Sequence, residues 1–289
     1  MKTYFECVPC LMRQAVEAPL RFTEDFEIRE RIVRRVAAAV SQMDMTRPPP
    51  EMGGSINAVM AEELGIADPY LAEKRRFNEL AMELLPTLRR RLGESERPFE
   101  AALRFAIAGN VIDFGAPGGD VSGELERRFD EALEAPLFCP DGIVDRLQRW
   151  VGSASRILYL ADNAGEVVVD RLLVEMMPEG SVTVAVRSGP AINDALLEDA
   201  RYAGLDEVAT LVESGAALPG TPMGRTSDEF RALFAGADLI ISKGQGNFET
   251  LSDEDGPMVF LLMAKCTVVA RHLGCEVGQH VIAPGSGFR

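Results

Sequence analysis

Three short polar stretches each follow an apolar run, and their side chains are of the kinds that metal-assisted phosphate chemistry uses. Ile157-Leu-Tyr-Leu160 runs into Ala161-Asp-Asn-Ala-Gly165. Val182-Thr-Val-Ala-Val186 is followed, past Ser188-Gly189-Pro190, by Asn193-Asp194. Asp238-Leu-Ile-Ile-Ser242 ends in Lys243-Gly-Gln-Gly-Asn247. Two carboxylates, Asp162 and Asp194, with an amide oxygen such as that of Asn163, suit a hard divalent cation completed by water. Such an ion polarises a phosphoryl oxygen and can activate a water. Lys243 adds positive charge for non-bridging phosphate oxygens, and Gly244 and Gly246 let backbone N–H groups approach an anion closely. Glu166 is a candidate general base or a support for the ligands. Each piece alone has a plainer reading. Asp-Asn-Ala-Gly and Asn193-Asp194 can cap helices, Glu166 suits the first turn of one, and Lys-Gly-Gln-Gly-Asn matches neither nucleotide-binding signature. Their joint placement after separate strands is what favours chemistry.

The elements that must position these residues change character along the chain. Ile28, Ile32, Val33, Val36, Val40 and Met43 recur at helical spacing, as do Phe77, Leu80, Ala81, Leu84, Leu85, Leu88 and Leu92. Pro86 predicts a kink or break in the second stripe, and Arg-Pro-Pro-Pro at 47–50 stops any helix before it. A further helical run over 99–113 ends at the turn Gly115-Ala-Pro-Gly-Gly119. From about residue 156, short apolar strands alternate with helices, which predicts a parallel sheet covered on both faces. Near the end, 258–265 reads as helix and 266–270 as strand. In an open parallel sheet, ligands bind beyond the carboxyl ends of the strands, where the three polar stretches fall.

Composition narrows the partners. The 289 residues carry 30 Lys+Arg against 45 Asp+Glu, a formal net charge of −15, which repels polyanions and argues against nucleic acid. Any phosphate therefore needs a local cation. The start, MKTYFECVPC, has no apolar signal-like run, and the longest late run, Met258–Ala264, falls far short of the ~18 residues of a membrane span. The expectation is a cytoplasmic protein without membrane attachment, its five cysteines reduced. With only His272 and His280, both read as structural or exposed, histidine-rich zinc sites are absent and oxygen ligands must carry a metal. Cys7-Val-Pro-Cys10 has neither a βαβ pattern beside it nor a second CxxC, so these cysteines read as packing, with Cys139, Cys266 and Cys275 not drawn to them by any pattern.

Several segments together carry a resemblance. They are Cys7-Val-Pro-Cys10-Leu-Met-Arg-Gln14, Asp68-Pro-Tyr70 with Lys74 and Asn78, Ala108-Gly-Asn-Val-Ile-Asp-Phe-Gly115, Leu160-Ala-Asp-Asn-Ala-Gly-Glu166, Arg187-Ser-Gly-Pro-Ala-Ile-Asn-Asp194 and Ser242-Lys-Gly-Gln-Gly-Asn-Phe-Glu-Thr-Leu251. In this order the chain resembles the damage-control phosphatases, in particular the prokaryotic branch with an N-terminal CxxC. The resemblance implies an α/β fold: a Rossmann-like three-layer core with a mainly parallel sheet over 101–289, entered by a helical segment, plus an N-terminal helical bundle over 1–100. It implies a divalent cation (Mg²⁺, Mn²⁺, Co²⁺ or Ni²⁺) on Asp162, Asn163 and Asp194, with Lys243 at the substrate phosphate beside Gly244, Gly246 and Asn247. Asn110 and Asp113 fall in a family motif near the same cleft. The implied substrates are small phosphorylated metabolites, sugar phosphates or damaged intermediates. The attacking group is water or a carboxylate.

Two rival classes use the same cleft. A non-catalytic protein would bind a phosphometabolite without turnover. A methyltransferase using S-adenosylmethionine has been claimed for a eukaryotic branch of the family, but it calls for a Gly-rich turn after the first strand and an acid ending the second. Here the first turn holds one glycine, and Arg187-Ser188 ends the second strand. Gln245 also stands where that branch tends to carry an acid after Lys-Gly.

Overall fold

A computed structural model describes residues 1–110 and 121–288; Asp113 and the turn expected at 115–119 lie outside the described residues. The first part is helical: α1 (Cys7–Glu17), α2 (Phe26–Ser41), α3 (Pro49–Leu64), α4 (Leu71–Glu94), α5 (Pro98–Ala108) and α6 (Val121–Glu134). After β1 (Leu137–Phe138) and α7 (Ile143–Ser153), strands and helices alternate. They are β2 (Ile157–Leu160), α8 (Glu166–Val174), β3 (Val182–Val186), α9 (Leu197–Tyr202), β4 (Thr210–Glu213), α10 (Asp228–Gly236), β5 (Leu239–Lys243) and α11 (Gly244–Leu251). The chain finishes with β6 (Met258–Met263), α12 (Thr267–Leu273) and β7 (His280–Pro284).

Local chemistry accounts for several boundaries. The Asp25 carboxylate accepts from the N–H groups of Glu27 and Ile28 and so starts α2. The proline run that stops a helix also begins one, because Pro49 and Pro50 occupy the first turn of α3, where no N–H is missed. The break allowed for at Pro86 does not occur. The helix α4 continues through it, with Phe77, Ala81, Leu84, Leu85 and Leu88 buried along one face. The reading of 258–265 as helix and 266–270 as strand is reversed in the fold. Met258–Met263 is a strand, paired in parallel with β5 and antiparallel with β7, and the helix follows it at Thr267–Leu273. A short apolar run without alternation fits either state, and here a strand covered on both faces is the outcome.

The strands form one sheet in the order β1-β7-β6-β5-β2-β3-β4. Every pairing is parallel except β6 with β7. Side chains alternate between two faces along each strand. Ile157 and Tyr159 of β2 join the core under α4, α5, α7 and α8, while Leu158 and Leu160 join the core with Phe230 and Phe234 of α10, Phe248 of α11 and Val269 of α12. The fold is thus α/β with three layers and a mainly parallel sheet. A third, smaller core ties α1, α2 and α3 together through Leu11, Ile32, Val36, Ile56 and Met60. The first core draws on residues from Phe77 to Ile282 in sequence. Among the described residues, no helix is long and apolar enough to cross a membrane.

Candidate active site

The strand order decides what meets. Strands β6, β5, β2 and β3 are consecutive and parallel, so their carboxyl ends share one edge of the sheet. Asp162 and Asn163 follow β2, Arg187 and then Asn193 and Asp194 follow β3, Lys243 ends β5, and Lys265 follows β6. The loops after β2 and β3 are stitched together. The Ala195 N–H donates to the Asp162 carbonyl at 2.8 Å, the Ala164 N–H donates to the Asn193 carbonyl at 2.9 Å, and Asn163 and Asp194 form an isolated β-bridge. Neither acid is a helix cap: α8 starts after Gly165 with no side-chain cap, and at α9 the Leu196 N–H is bonded by Asp199. The helical region braces the same loop, since Asn78 of α4 accepts from the Gly165 N–H at 2.7 Å and donates to Asp199 at 2.7 Å.

Asp162, Asn163, Asn193, Asp194, Gly246 and Lys265 face one cavity of 280 Å³ at this edge. Beneath it lies a buried polar lattice. Asp162 Oδ2 accepts from Asn110 Nδ2 at 3.1 Å and from Asn163 Nδ2 at 2.9 Å. Glu166 Oε2 accepts from the same two amides at 2.9 and 3.1 Å. Lys243 Nζ donates to Glu166 Oε1 at 2.7 Å, to Asp170 Oδ1 at 2.6 Å and to the Ala106 carbonyl at 2.7 Å. All three ammonium hydrogens thereby find protein acceptors, and the Lys243 side chain is fully buried. Asn247 is likewise buried: it donates to the Ala161 and Lys243 carbonyls and accepts from Thr221 and Arg187. Arg187 Nε donates to Asp194 Oδ2 at 2.6 Å, and its Nη2 stands 4.0 Å from Asp162 Oδ1.

The electrostatics follow from this crowding. Burial, with Glu166 and Asp194 close by, pushes the Asp162 carboxyl well above the usual carboxylate range, against the pull of Lys265 and Arg187. Burial also pushes Asp170 up to about 7, with Lys243 pulling it down and Glu166 pushing it up. Although burial opposes its charge, Lys243 is held above its ordinary value by Asp170 and Glu166. Four buried carboxylates (Asp162, Glu166, Asp170 and Asp194) meet two buried cations, Lys243 and Arg187, with Lys265 at the rim. The excess of negative charge and the hard oxygen donors of Asp162, Asn163 and Asp194 fit a divalent cation. Asn163 has its Nδ2 bonded to Asp162 and Glu166, which leaves its Oδ1 as the donor atom for such an ion. Among the described residues, no group of three or more His, Cys, Asp and Glu side chains is placed to hold a metal ion.

Gly244 explains how the loop after β5 comes so near. Its φ is +78°, and a Cβ there would lie 1.9 Å from Asp162 Oδ2. The same turn begins α11, and Gly246 lines the cavity. Asp113 lies outside the described residues. Cys7 and Cys10, read from sequence as packing, line the cavity wall together with Cys266, and all five cysteines are free thiols. Burial raises the Cys7 thiol. His272 of α12 packs edge-on against Phe248 of α11, and His280 lies on β7.

The sequence matches the damage-control phosphatase ARMT1-like domain over residues 3–281. The chain belongs to this family. It is 36% identical over 286 residues to a damage-control phosphatase of Pyrococcus horikoshii, covering 97% of each chain, and 34% identical over 285 residues to one of Archaeoglobus fulgidus, covering 95% and 96%. The crystal structure of a DUF89 family protein from Pyrococcus horikoshii superposes with a TM-score of 0.90 at 34% identity, over 99% of this chain and 100% of that one.

Sequence reasoning missed Lys265, Arg187 and Asp170, which lie at this cavity or in the buried lattice beneath it. Lys265 was hidden by the helix read over 258–265; taken as a strand, that run would have put a lysine just past a carboxyl end. Arg187 directly follows the buried strand β3, a charge placed where only the site can satisfy it.

Proposed function

We propose that this damage-control phosphatase family member hydrolyses small phosphorylated metabolites with the help of a divalent cation. The observation that carries the reading is the meeting of Asp162, Asn163, Asp194 and Lys265 around one cavity at the carboxyl edge of the sheet. The relatives named as damage-control phosphatases support the same class of reaction. Asp162, Asn163 and Asp194 would hold the cation, whether Mg²⁺, Mn²⁺, Co²⁺ or Ni²⁺. When bound there, the cation supplies Lewis-acid polarisation of a phosphoryl oxygen. Lys265 pairs with a second non-bridging oxygen, and the backbone at Gly244 and Gly246, in the first turn of α11, offers N–H donors to a third. Lys243, Asn247 and Asn110 act from below by fixing Glu166, Arg187 and Asp162. Asp113 stays in this reading as a substrate-side residue of the motif it shares with Asn110. Glu166 orients the Asn110 and Asn163 amides, and Arg187 orients Asp194. Phosphoryl transfer asks a protein chiefly for such fixed charge around the transferring group.

The test is p-nitrophenyl phosphate hydrolysis after EDTA treatment, then with each of the four cations restored. Turnover that vanishes with EDTA and returns with a cation is the expected result. A protein that binds phosphometabolites but hydrolyses nothing under any of these conditions is a binding protein, and the proposal fails.

A further inference from the structure

Three of the five free thiols, those of Cys7, Cys10 and Cys266, line the cavity around Asp162, and their surroundings differ. Cys266 is engaged in the fold. Its Sγ accepts from the Val269 N–H at 3.5 Å, which starts α12, and from Gln245 Nε2 at 3.7 Å. Cys7 and Cys10 cap no element. They share one face of α1, where Cys7, Cys10, Leu11 and Gln14 recur at helical intervals and all line the cavity. Cys139 packs on the first core and Cys275 on the second, away from this pair.

The spacing suits a bond between the two. Side chains three apart on a helix have Cβ atoms about 5–6 Å apart, and a disulfide needs about 3.8 Å, so closing one takes a small tightening of the first turn. Pro9 lies between the cysteines in that turn, where its missing N–H costs nothing. Its fixed φ keeps the two sulfurs one turn apart before any bond forms. The surroundings then divide the roles. Arg13 Nη2 and Gln14 Nε2 donate to Cys10 Sγ at 3.9 and 3.7 Å. An attacking sulfur carries negative charge, and at Cys10 a guanidinium and an amide stand ready to meet it. Cys7 packs against the second core, and burial raises its thiol. Cys10 is thus suited to attack first and Cys7 to resolve.

We propose that Cys7 and Cys10 form a thiol–disulfide exchange site on the cavity wall, whose reactant is a low-molecular-weight disulfide. The Cys10 sulfur attacks one sulfur of the reactant, whose S–S bond breaks, and one thiolate leaves. The Cys7 sulfur then attacks Cys10 Sγ in the mixed disulfide, the Cys7–Cys10 bond forms, and the second thiolate leaves. The two protons given up by the protein thiols go to the two leaving groups. Two protein thiols are oxidised and one disulfide is reduced to two thiols. The tightened turn changes the wall that faces Asp162 and Lys265 across the cavity, so the state of the pair acts on whatever enters. The proposal does not depend on the phosphatase reading.

The test exposes the full chain, with a chelator present, to mixtures of reduced and oxidised glutathione. The samples are quenched in acid, unfolded and alkylated. Trypsin then releases Thr3–Arg13, which holds Cys7 and Cys10 and no other cysteine. As the oxidised share rises, this peptide should lose both alkyl groups and two hydrogens, while Cys139, Cys266 and Cys275 stay alkylated. Dithiothreitol should restore both thiols. Cys7→Ser should instead keep glutathione on Cys10 as a lasting mixed disulfide, and Cys10→Ser should slow capture at Cys7 by about tenfold or more. A bridge between Cys7 and Cys266 in the unaltered protein overturns the proposal. So does glutathione that stays on Cys10 with Cys7 present, or a pair left unreacted under a large excess of oxidised glutathione.

Discussion

Asp162 sits at the point of greatest charge conflict. Two amides hold one of its oxygens, and Glu166 and Asp194 repel it at close quarters. A cation on Asp162, Asn163 and Asp194 relieves that conflict, and so does an amide in place of the acid. Asp162→Asn is therefore expected to reduce phosphatase turnover by about a thousandfold or more, in line with losing a main electrostatic contact to the reacting group. In the metal-free protein the same change should raise the melting temperature by roughly 2–4 °C, which about 1 kcal/mol is worth in a chain of this order of size. Adding Mn²⁺ should stabilise the unaltered protein against heat and leave the variant where it was. A variant that loses stability and still responds to Mn²⁺ would place the cation elsewhere.

Elements turn these single residues into a site by bringing loops within contact distance. The turn between β5 and α11 packs on Asp162 so closely that only a glycine fits, and its φ of +78° asks for one as well. Gly244→Ala must move Asp162 or unwind the first turn of α11. A loss of about 2–4 kcal/mol in denaturant unfolding and of most activity is expected, whereas Gly93→Ala, in α4 with open space around it, should stabilise slightly. Equal effects of the two would mean that the close approach does not matter. The elements were also where the sequence was read best and worst. Strands β2, β3 and β5 announced themselves as apolar runs ending in Asp162, Arg187 and Lys243. What could not be read was their adjacency, because strand order depends on crossover packing far along the chain. The run at 258–263 has no alternation, being covered on both faces, and so passed for helix; with it went Lys265. The partners of Lys243 were illegible for a related reason. Glu166 and Asp170 lie one helical turn apart on α8, but which face of α8 meets β5 is a tertiary fact.

Over the whole molecule, buried acids make stability depend on pH in an unusual direction. Burial pushes the Glu249 carboxyl up to about 7, against the hydrogen bond from Gln245 and the nearby amino terminus. The fold thus favours its protonated form. Below about pH 4.5 both states are protonated and nothing is lost; as pH rises from 4.5 to 7 the unfolded state gives up its proton first, and stability falls. Above about pH 7 the cost is complete, about 3 kcal/mol at most for this one group. Asp170, also near 7, tilts the curve the same way. Glu249→Gln should therefore be more stable than the unaltered protein at about pH 8, with the difference shrinking toward about pH 5. Denaturant midpoints across that range would show it, and a difference that grows on acidification would contradict the assignment.

The reversed strand at the edge of this sheet has a practical side. Because β7 runs antiparallel to β6, the chain beyond Pro284 returns to the rim where β6 begins, and the Gly285 N–H bonds the Met258 carbonyl there. That rim is the one opposite the strand ends that carry Asp162 and Lys265. A protein anchored to a bead or sensor chip through the segment just after Pro284 would hold the cavity around Asp162 toward the solution, open to small molecules.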